Sequence, residues 1–234
     1  YVDRTSPNGL TSWGRGDWVP VKSHSSKELT SSVYFYVDTK ILANAAKLFN
    51  KQEDYEHYQA LAEKIKNAIN AKYLNRETGI YASGVQTELS VPLMWGVVPE
   101  DMKTKVARNL AKKVEEAGFH LDVGVLGAKA ILNALSENGE AETAYKVAAQ
   151  DTYPSWGCWI ANGATTLLEN WDLNATRDIS DNHMMFGEIG GWFYKGLGGI
   201  FPDPENPGFK HILLRPNFPS GLNELEARYQ SPYG

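Results

Sequence analysis

Short amphipathic stripes, repeated along most of the chain, constrain its fold more than any other feature. Apolar residues recur at helical spacing in residues 33–48 and 58–73, from 99 to 118, and on both sides of Gly139. Turn residues separate neighbouring stripes, so each pair predicts two antiparallel helices joined by a short link. The sequence therefore predicts a row of helical hairpins.

The first hairpin shows the pattern most fully. Its two stripes are formed by Tyr34, Val37, Ile41, Leu42, Ala45 and Leu48, and then by Tyr58, Leu61, Ile65, Ala68, Ile69 and Tyr73. Residues 30–32 are the predicted N-caps of the first helix. The turn at 75–83 follows the second helix, and Gly79 is its expected residue with positive φ.

The pattern changes near residue 208, where FKHILLRPNF and then ELEARYQS alternate apolar with polar residues, as strands do. Before that point only helical hairpins are predicted. A row of hairpins forms either an α-solenoid or a closed ring, the (α/α) barrel. A solenoid requires self-similarity at a fixed period. The sequence shows no convincing repeat, which favours the ring.

Composition excludes several classes of protein. The 234 residues carry a net charge of -5 and no dense run of Lys or Arg, which argues against nucleic-acid binding. No apolar run approaches the ~20 residues that a membrane span needs. Cys158 is the single cysteine, so we expect no intrachain disulfide and no cysteine metal site. No cofactor is expected either. Tyr1 opens no signal peptide, which leaves the compartment open, with a secreted or periplasmic location slightly favoured.

Residues 153–186 have the composition of a sugar site. Tryptophan faces suit pyranose rings, and carboxylates both accept hydrogen bonds from hydroxyls and break glycosidic bonds. The stretch holds Trp156, Trp159, Trp171, Glu169, Asp172, Asp178, Asp181 and His183. An aromatic-rich core helix beside a solvated loop is the alternative interpretation. We expect Asp172 and Asp178 to be cap and loop residues, and Trp95, Trp159 and Trp192 to belong to the core.

Residues 1–32 are rich in Gly, Pro, Ser and Thr and are predicted to be loop. A loop this long at the start of a domain suggests that the sequence enters a larger architecture. Within it, GRGDW places Asp17 and Trp18 after two glycines. Trp18 is a candidate for stacking on a sugar or for plugging a helix end. Asp17 is a candidate for binding a hydroxyl or for capping the following segment.

The chain resembles the C-terminal part of the inverting α-L-rhamnosidase family of glycoside hydrolases. The resemblance rests on GDW at 16–18, PLMWGVVPE at 92–100, HLDVGVLGAKAIL at 120–132, YPSWG at 153–157, NGATTLLENWD at 162–172, NHMMFG at 182–187 and LRPNFP at 214–219. It implies a mainly α fold. Residues 1–199 would be the later hairpins of an (α/α)6 barrel, and residues 200–234 would begin a C-terminal β-sandwich that is cut off at Gly234.

The same resemblance implies a site. Glu169 matches the general base that activates water, and Trp18, Trp156 and His183 match or neighbour positions that shape the sugar pocket. We expect these four residues to share one pocket. Thr165 and Thr166, one helical turn before Glu169, are expected to orient its carboxylate. The implied partners are rhamnose-containing oligosaccharides, polysaccharides or glycosides, and a homo-oligomer is possible.

Two features depart from the family pattern: Val123-Gly124-Val125 replaces a Thr-Gly-Phe stretch, and the loop from Trp171 to His183 is short. The acidic segment that holds the family's general acid is missing, and Asp3 is not assigned to that role. We therefore expect the chain alone to be an incomplete, inactive catalyst that exposes apolar surface. The alternatives are a carbohydrate-binding or scaffold module without hydrolysis, and an (α/α)-barrel glycosidase acting on another sugar.

Overall fold

A computed structural model describes residues 6–234, and most of their secondary structure is helical. The hairpin helices are α1 (Lys27–Leu48), α2 (Gln52–Tyr73), α3 (Gln86–Met94), α4 (Lys103–Glu116), α5 (Val125–Ser136) and α6 (Ala141–Ala148). They are followed by α7 (Trp156–Ala161) and α8 (Glu188–Trp192), which continues into a π-helical turn at Phe193–Leu197. Single 3-10 turns occupy Glu100–Met102 and Met184–Phe186. The prediction of a mainly α chain built from helical hairpins is confirmed.

The hairpins pack in two layers. Helix α3 contacts both α1 and α5, so these helices follow one another along one layer. Helix α2 packs on α1, α4 on α3 and α6 on α5, and α4 also contacts α6, which makes a second layer. The N-terminal ends of α1, α3 and α5 therefore lie toward the same end of the array. Between residues 6 and 234, no helix is both long enough and apolar enough to span a membrane.

Helix α4 forms where the sequence predicts it. Val106, Leu110 and Val114 lie on one face, and all three are fully buried. Burying an aliphatic side chain of this size contributes about 1.5–3 kcal/mol relative to leaving it in water. The opposite face carries lysines and glutamates in solvent. The helix ends just before Gly118, whose φ of 65° is the left-handed conformation that glycine adopts at low cost.

Helix α1 starts earlier than the sequence predicts. Its N-cap is Ser26, whose hydroxyl accepts a hydrogen bond from the main-chain N–H of Leu29 at 3.3 Å. Residues 30–32, the predicted caps, lie inside the first turns. The buried Ser32 hydroxyl accepts a hydrogen bond from the N–H of Thr11 instead. The start of the helix was not predicted because its first turn is mostly polar, and a search for apolar residues at helical spacing does not detect polar turns.

The buried face of α1 also differs from the prediction. Leu29, Val33, Tyr36, Ala43 and Ala46 face the core, mainly against α2. The predicted stripe members Ile41, Leu42 and Leu48 are exposed, as is Phe49. Helical spacing identified a helix but not its buried side, because apolar residues lie on more than one face of α1.

The strands are short. Strands β1 (Leu74–Asn75) and β2 (Ile80–Tyr81) pair antiparallel around the turn at Gly79, whose φ is 75° as predicted. Strands β3 (Ile200–Pro202) and β4 (Ile212–Leu214) form a second antiparallel pair. The alternation predicted from residue 208 onward therefore yields only β4, and residues 224–231 are not a strand. Alternation does not indicate strand β3, because three residues ending in proline are too few to show it, but β3 begins at Ile200, where the family resemblance places the start of the C-terminal β-sandwich.

Candidate active site

Asp17 ties the loop before α1 to α3 and α5. Its carboxylate is buried, with Oδ1 accepting hydrogen bonds from the N–H groups of Leu126 at 2.7 Å and Gly127 at 3.1 Å. Its Oδ2 accepts from the N–H of Gly124 at 2.8 Å and from the hydroxyl of Thr87 at 2.5 Å. Each carboxylate oxygen thus accepts two hydrogen bonds, and the negative charge lies at the N-terminus of α5. Asp17 caps α5 rather than the segment that follows it.

Glu88 makes an equivalent connection between α1 and α3. This residue is 2% exposed, and its Oε1 accepts a hydrogen bond from the N–H of Ser26, the N-cap of α1, at 2.7 Å. Its Oε2 accepts from the N–H and hydroxyl of Ser83 and from the N–H of Gly84. Sequence reasoning did not single out Glu88. Asp17 and Glu88 together hold the N-terminal ends of α1, α3 and α5 in one place.

Trp18 lies directly against the N-terminus of α5. Its main-chain carbonyl accepts a hydrogen bond from the N–H of Val125 at 2.9 Å. Gly124 permits this approach, since a Cβ at that position would lie 2.2 Å from the Trp18 carbonyl oxygen. The indole is half-buried, and the guanidinium of Arg15 lies 5.5 Å from its ring centroid. Part of Trp18 thus remains accessible to solvent.

Trp156 belongs to a buried aromatic cluster. Trp159 and Trp171 stack with centroids 4.8 Å apart, Phe186 lies 4.3 Å from Trp171, and Trp156 meets Trp171 edge-on at 5.3 Å. Trp156 is 5% exposed, and its indole N–H donates to the carbonyl of Phe186 at 3.0 Å. Its ring is therefore part of the core and offers no open face for stacking on a sugar.

The cluster connects the residues around Glu169 to the Trp18 region. The indole N–H of Trp171 donates to the carbonyl of Val123 at 2.9 Å, next to the Gly124 that Asp17 binds. Trp171 is two residues from Glu169. Trp156 is therefore connected through Trp171 to the start of α5, where Trp18 lies, and Glu169 lies on the same segment, two residues before Trp171.

Glu169 and His183 lie on two antiparallel segments, residues 166–169 and 180–183, which we call the Glu169 clamp. The N–H of Glu169 donates to the carbonyl of Ser180 at 2.9 Å, and the N–H of Ser180 donates back to Glu169 Oε2 at 3.1 Å. The N–H of His183 donates to the carbonyl of Leu167 at 2.9 Å. No helix occupies residues 162–183, so the expected helical turn from Thr165 and Thr166 to Glu169 is wrong.

His183 faces the carboxylate of Glu169. Its Nδ1 accepts a hydrogen bond from the N–H of Met185 at 3.2 Å, so in the neutral ring the proton is on Nε2. That Nε2 lies 4.0 Å from Glu169 Oε1, with the two side chains 39% and 20% exposed. The separation exceeds a direct hydrogen bond and leaves room for one bridging oxygen of water or sugar. Both groups are reachable from solvent.

A well-formed cleft lies elsewhere and does not include this pair. It has a volume of about 760 Å³ and lies between α1 and the GRGDW loop. Trp13, Arg15, Tyr34, Asp38 and Leu126 line it, among others, while Glu169, His183, Trp18 and Trp156 do not. Of the four residues expected to share one pocket, the structure brings Glu169 and His183 to 4.0 Å, while Trp18 lies at the N-terminus of α5 and Trp156 is buried. That all four line one sugar pocket stays a prediction.

Asp172 and Asp178 lie in the loop after Trp171. Asp172 Oδ1 accepts a hydrogen bond from the N–H of Asn174 at 2.8 Å, and Asp178 adopts a φ of 53° in the loop. These are the cap and loop roles that the sequence predicts. Among residues 6–234, no three His, Cys, Asp or Glu side chains cluster as metal ligands. Asp3 lies outside the described residues.

Comparison with known proteins identifies the family. Residues 1–197 match the family model of the bacterial alpha-L-rhamnosidase six-hairpin glycosidase domain, and residues 199–234 match that of the bacterial alpha-L-rhamnosidase C-terminal domain. The chain belongs to the bacterial α-L-rhamnosidase family. Its helical hairpins are thus those of a glycosidase domain, as the sequence motifs indicated.

Solved structures share the fold. An α-L-rhamnosidase from Dictyoglumus thermophilum matches with a TM-score of 0.84 and 37% identity, covering 92% of this chain and 25% of that one. A Streptomyces avermitilis α-L-rhamnosidase, solved with L-rhamnose, matches with a TM-score of 0.85 and 28% identity, covering 94% and 22%. In sequence, a curated α-L-rhamnosidase from Formosa agariphila is 30% identical over 220 residues, covering 91% of this chain and 24% of its own length. The chain spans about a quarter of the length of these relatives.

Proposed function

We propose that this chain is part of the catalytic domain of an inverting α-L-rhamnosidase, with residues 1–199 in the helical barrel and 200–234 entering the C-terminal domain. The substrates would be oligosaccharides, polysaccharides or glycosides that end in α-L-rhamnose. The observation that carries the proposal is the solvent-reachable carboxylate of Glu169, held by Ser180 and faced by His183. The role of Glu169 as general base, with His183 at the sugar pocket, is inferred from membership of the rhamnosidase family.

In this mechanism Glu169 is the general base. As water attacks the anomeric carbon from the face opposite the leaving group, its proton passes to a Glu169 oxygen and the glycosidic C–O bond breaks. An acid on the other face gives a proton to the leaving oxygen, about 6.5–9.5 Å from the base. No carboxylate between residues 6 and 234 is proposed as this general acid. Residues 1–234 alone are therefore expected to bind sugar without turning it over at ordinary enzyme rates.

The neighbouring residues hold the sugar and the base in place. The Nε2–H of His183 lies 4.0 Å from Glu169 Oε1, which is too far for a direct hydrogen bond, and it is free to donate to a sugar hydroxyl beside the base. The half-exposed indole of Trp18 offers an apolar face to the ring. Trp156 and Asp17 act behind the pocket, the first by packing on Trp171 and the second by fixing the Trp18 loop on α5.

The test is the Glu169→Gln variant in an assay enzyme, meaning a polypeptide that joins residues 1–234 to the part of a family member that supplies the general acid. We expect turnover of an aryl α-L-rhamnoside to fall by ~10²–10⁴-fold. An activated leaving group should not restore the rate, because it replaces the acid and not the base. Far-UV circular dichroism should be unchanged.

Asp178→Asn is the matched control, because it removes a carboxylate from the same loop and asparagine tolerates the φ of 53° at that position. We expect its turnover to stay within a few-fold of the parent. A Glu169→Gln variant within a few-fold of the parent would assign Glu169 a structural role. It would then favour a sugar-binding module, the alternative function, which needs the pocket but no base.

A further inference from the structure

Thr166 makes the side-chain contact that closes the Glu169 clamp. Its hydroxyl donates to the main-chain carbonyl of Asp181, which lies between Ser180 and His183 on the returning segment. Ser180 binds the Glu169 carboxylate, and His183 faces it. The Thr166 hydroxyl therefore fastens the segment that carries both contacts of the base.

The remaining connections of the clamp use main-chain atoms or Glu169 itself. Leu167 and His183 pair through the main chain at 2.9 Å, and Glu169 and Ser180 exchange two hydrogen bonds. Residues 170–179 connect the two segments as an exposed or half-exposed loop, apart from the buried Trp171. Little core packing thus restrains residues 180–183. The hydrogen bond from Thr166 therefore contributes to holding this segment against Glu169.

We propose that Thr166 is a positioning residue for the Glu169 base, acting through the carbonyl of Asp181. The inference rests on the proposed function of Glu169 and adds the group that fixes its geometry. When the hydroxyl is lost, the returning segment moves relative to Glu169, and the carboxylate samples orientations that do not face the attacking water. Rate falls because positioning of the base is lost, while sugar binding is little changed.

The neighbouring threonine supplies a matched control. Thr165 and Thr166 are both exposed, and within the described residues Thr165 forms no side-chain hydrogen bond. Thr166→Val and Thr165→Val therefore make the same chemical change at adjacent exposed positions, and only the first removes a contact. Thr166→Ser keeps the hydroxyl and tests whether the hydroxyl is the active group.

In the assay enzyme we expect Thr166→Val to lower kcat about 3- to 10-fold, the factor that the net free energy of one hydrogen bond corresponds to, with KM within two-fold of the parent. Thr166→Ser and Thr165→Val should retain kcat near the parent value. Equal kcat in Thr166→Val and Thr165→Val overturns the inference. So does an equal loss in Thr166→Val and Thr166→Ser.

Hydrogen exchange on residues 1–234 tests the same contact without catalysis. In Thr166→Val the N–H groups of Ser180 and His183 should exchange faster than in Thr165→Val, with an unchanged melting temperature. Unchanged exchange contradicts the proposal whatever the kinetics. Glu169→Gln separates the proposed function of Glu169 from the positioning role of Thr166. If Glu169→Gln is inactive while Thr166→Val behaves as the parent, the proposed function stands and this inference fails.

Discussion

Replacing Asp17 with asparagine should be the most damaging single-atom change in this end of the molecule. The carboxylate accepts two hydrogen bonds on each oxygen. An asparagine oxygen in the place of Oδ1 still accepts from Leu126 and Gly127. The amide nitrogen in the place of Oδ2 can donate to the Thr87 hydroxyl, but it faces the N–H of Gly124, and two donors cannot bond.

The magnitude follows from that geometry. One buried main-chain N–H loses its acceptor, which costs about 1–3 kcal/mol. The negative charge at the N-terminus of α5 is lost as well, which costs a further ~0.3–2 kcal/mol in a partly buried setting. Turning the amide over places its nitrogen against two N–H groups instead of one, so that arrangement is worse. We expect the free energy of unfolding to fall by about 2–4 kcal/mol.

The assay is urea unfolding of residues 1–234, followed by circular dichroism and tryptophan fluorescence. Asp38→Asn is the control, because this exposed carboxylate has no side-chain hydrogen bond within the described residues. It should change the free energy of unfolding by less than about 0.5 kcal/mol. A loss below about 1 kcal/mol for Asp17→Asn would show that the carboxylate does not hold this end together.

Two further predictions concern the same fold. Gly124→Ala places a Cβ 2.2 Å from the Trp18 carbonyl oxygen and should lower the melting temperature clearly, whereas Gly190→Ala, with nothing within 4 Å, should not; equal melting temperatures would contradict the close approach. Hydrogen bonds from His211, Asn206 and the main-chain N–H of Glu205 lower the pKa of Asp203 to about 2, which NMR titration should reproduce. Because the pKa of Asp203 is lower in the folded state, its ionised carboxylate stabilises the fold above the unfolded pKa near 3.9, and this stabilisation is lost as pH falls toward 2. His211→Ala should raise the pKa of Asp203, and an unchanged pKa would exclude the contact.

The sequence predicts the helices better than their surroundings. Val106, Leu110 and Val114 repeat at helical spacing on an otherwise charged helix, so the buried face of α4 is unambiguous. In α1 the same spacing is satisfied by apolar residues on several faces, so the exposed Ile41 and Leu48 were assigned to the core. Packing against neighbouring helices selects the buried face, and periodicity within one helix does not contain that information.

The site was predictable only in part. Motifs identified Glu169 and His183 as candidates, and the structure brings them to 4.0 Å. The contacts that hold them come from residues without a local signal. Asp17 binds N–H groups more than 100 positions away. Ser180 reaches Glu169 because the loop at residues 170–179 turns the chain back onto residues 166–169, which are not the expected helical turn. Such long-range hydrogen bonds depend on tertiary structure and leave no pattern in the sequence.

The most direct test of the central claim is the configuration of the sugar released first by the assay enzyme. Proton NMR during early turnover distinguishes α- from β-L-rhamnose before the two anomers equilibrate. If Glu169 activates water on the face opposite the leaving group, β-L-rhamnose appears first. If α-L-rhamnose appears first, the reaction proceeds with retention, and Glu169 is not the base of an inverting glycosidase.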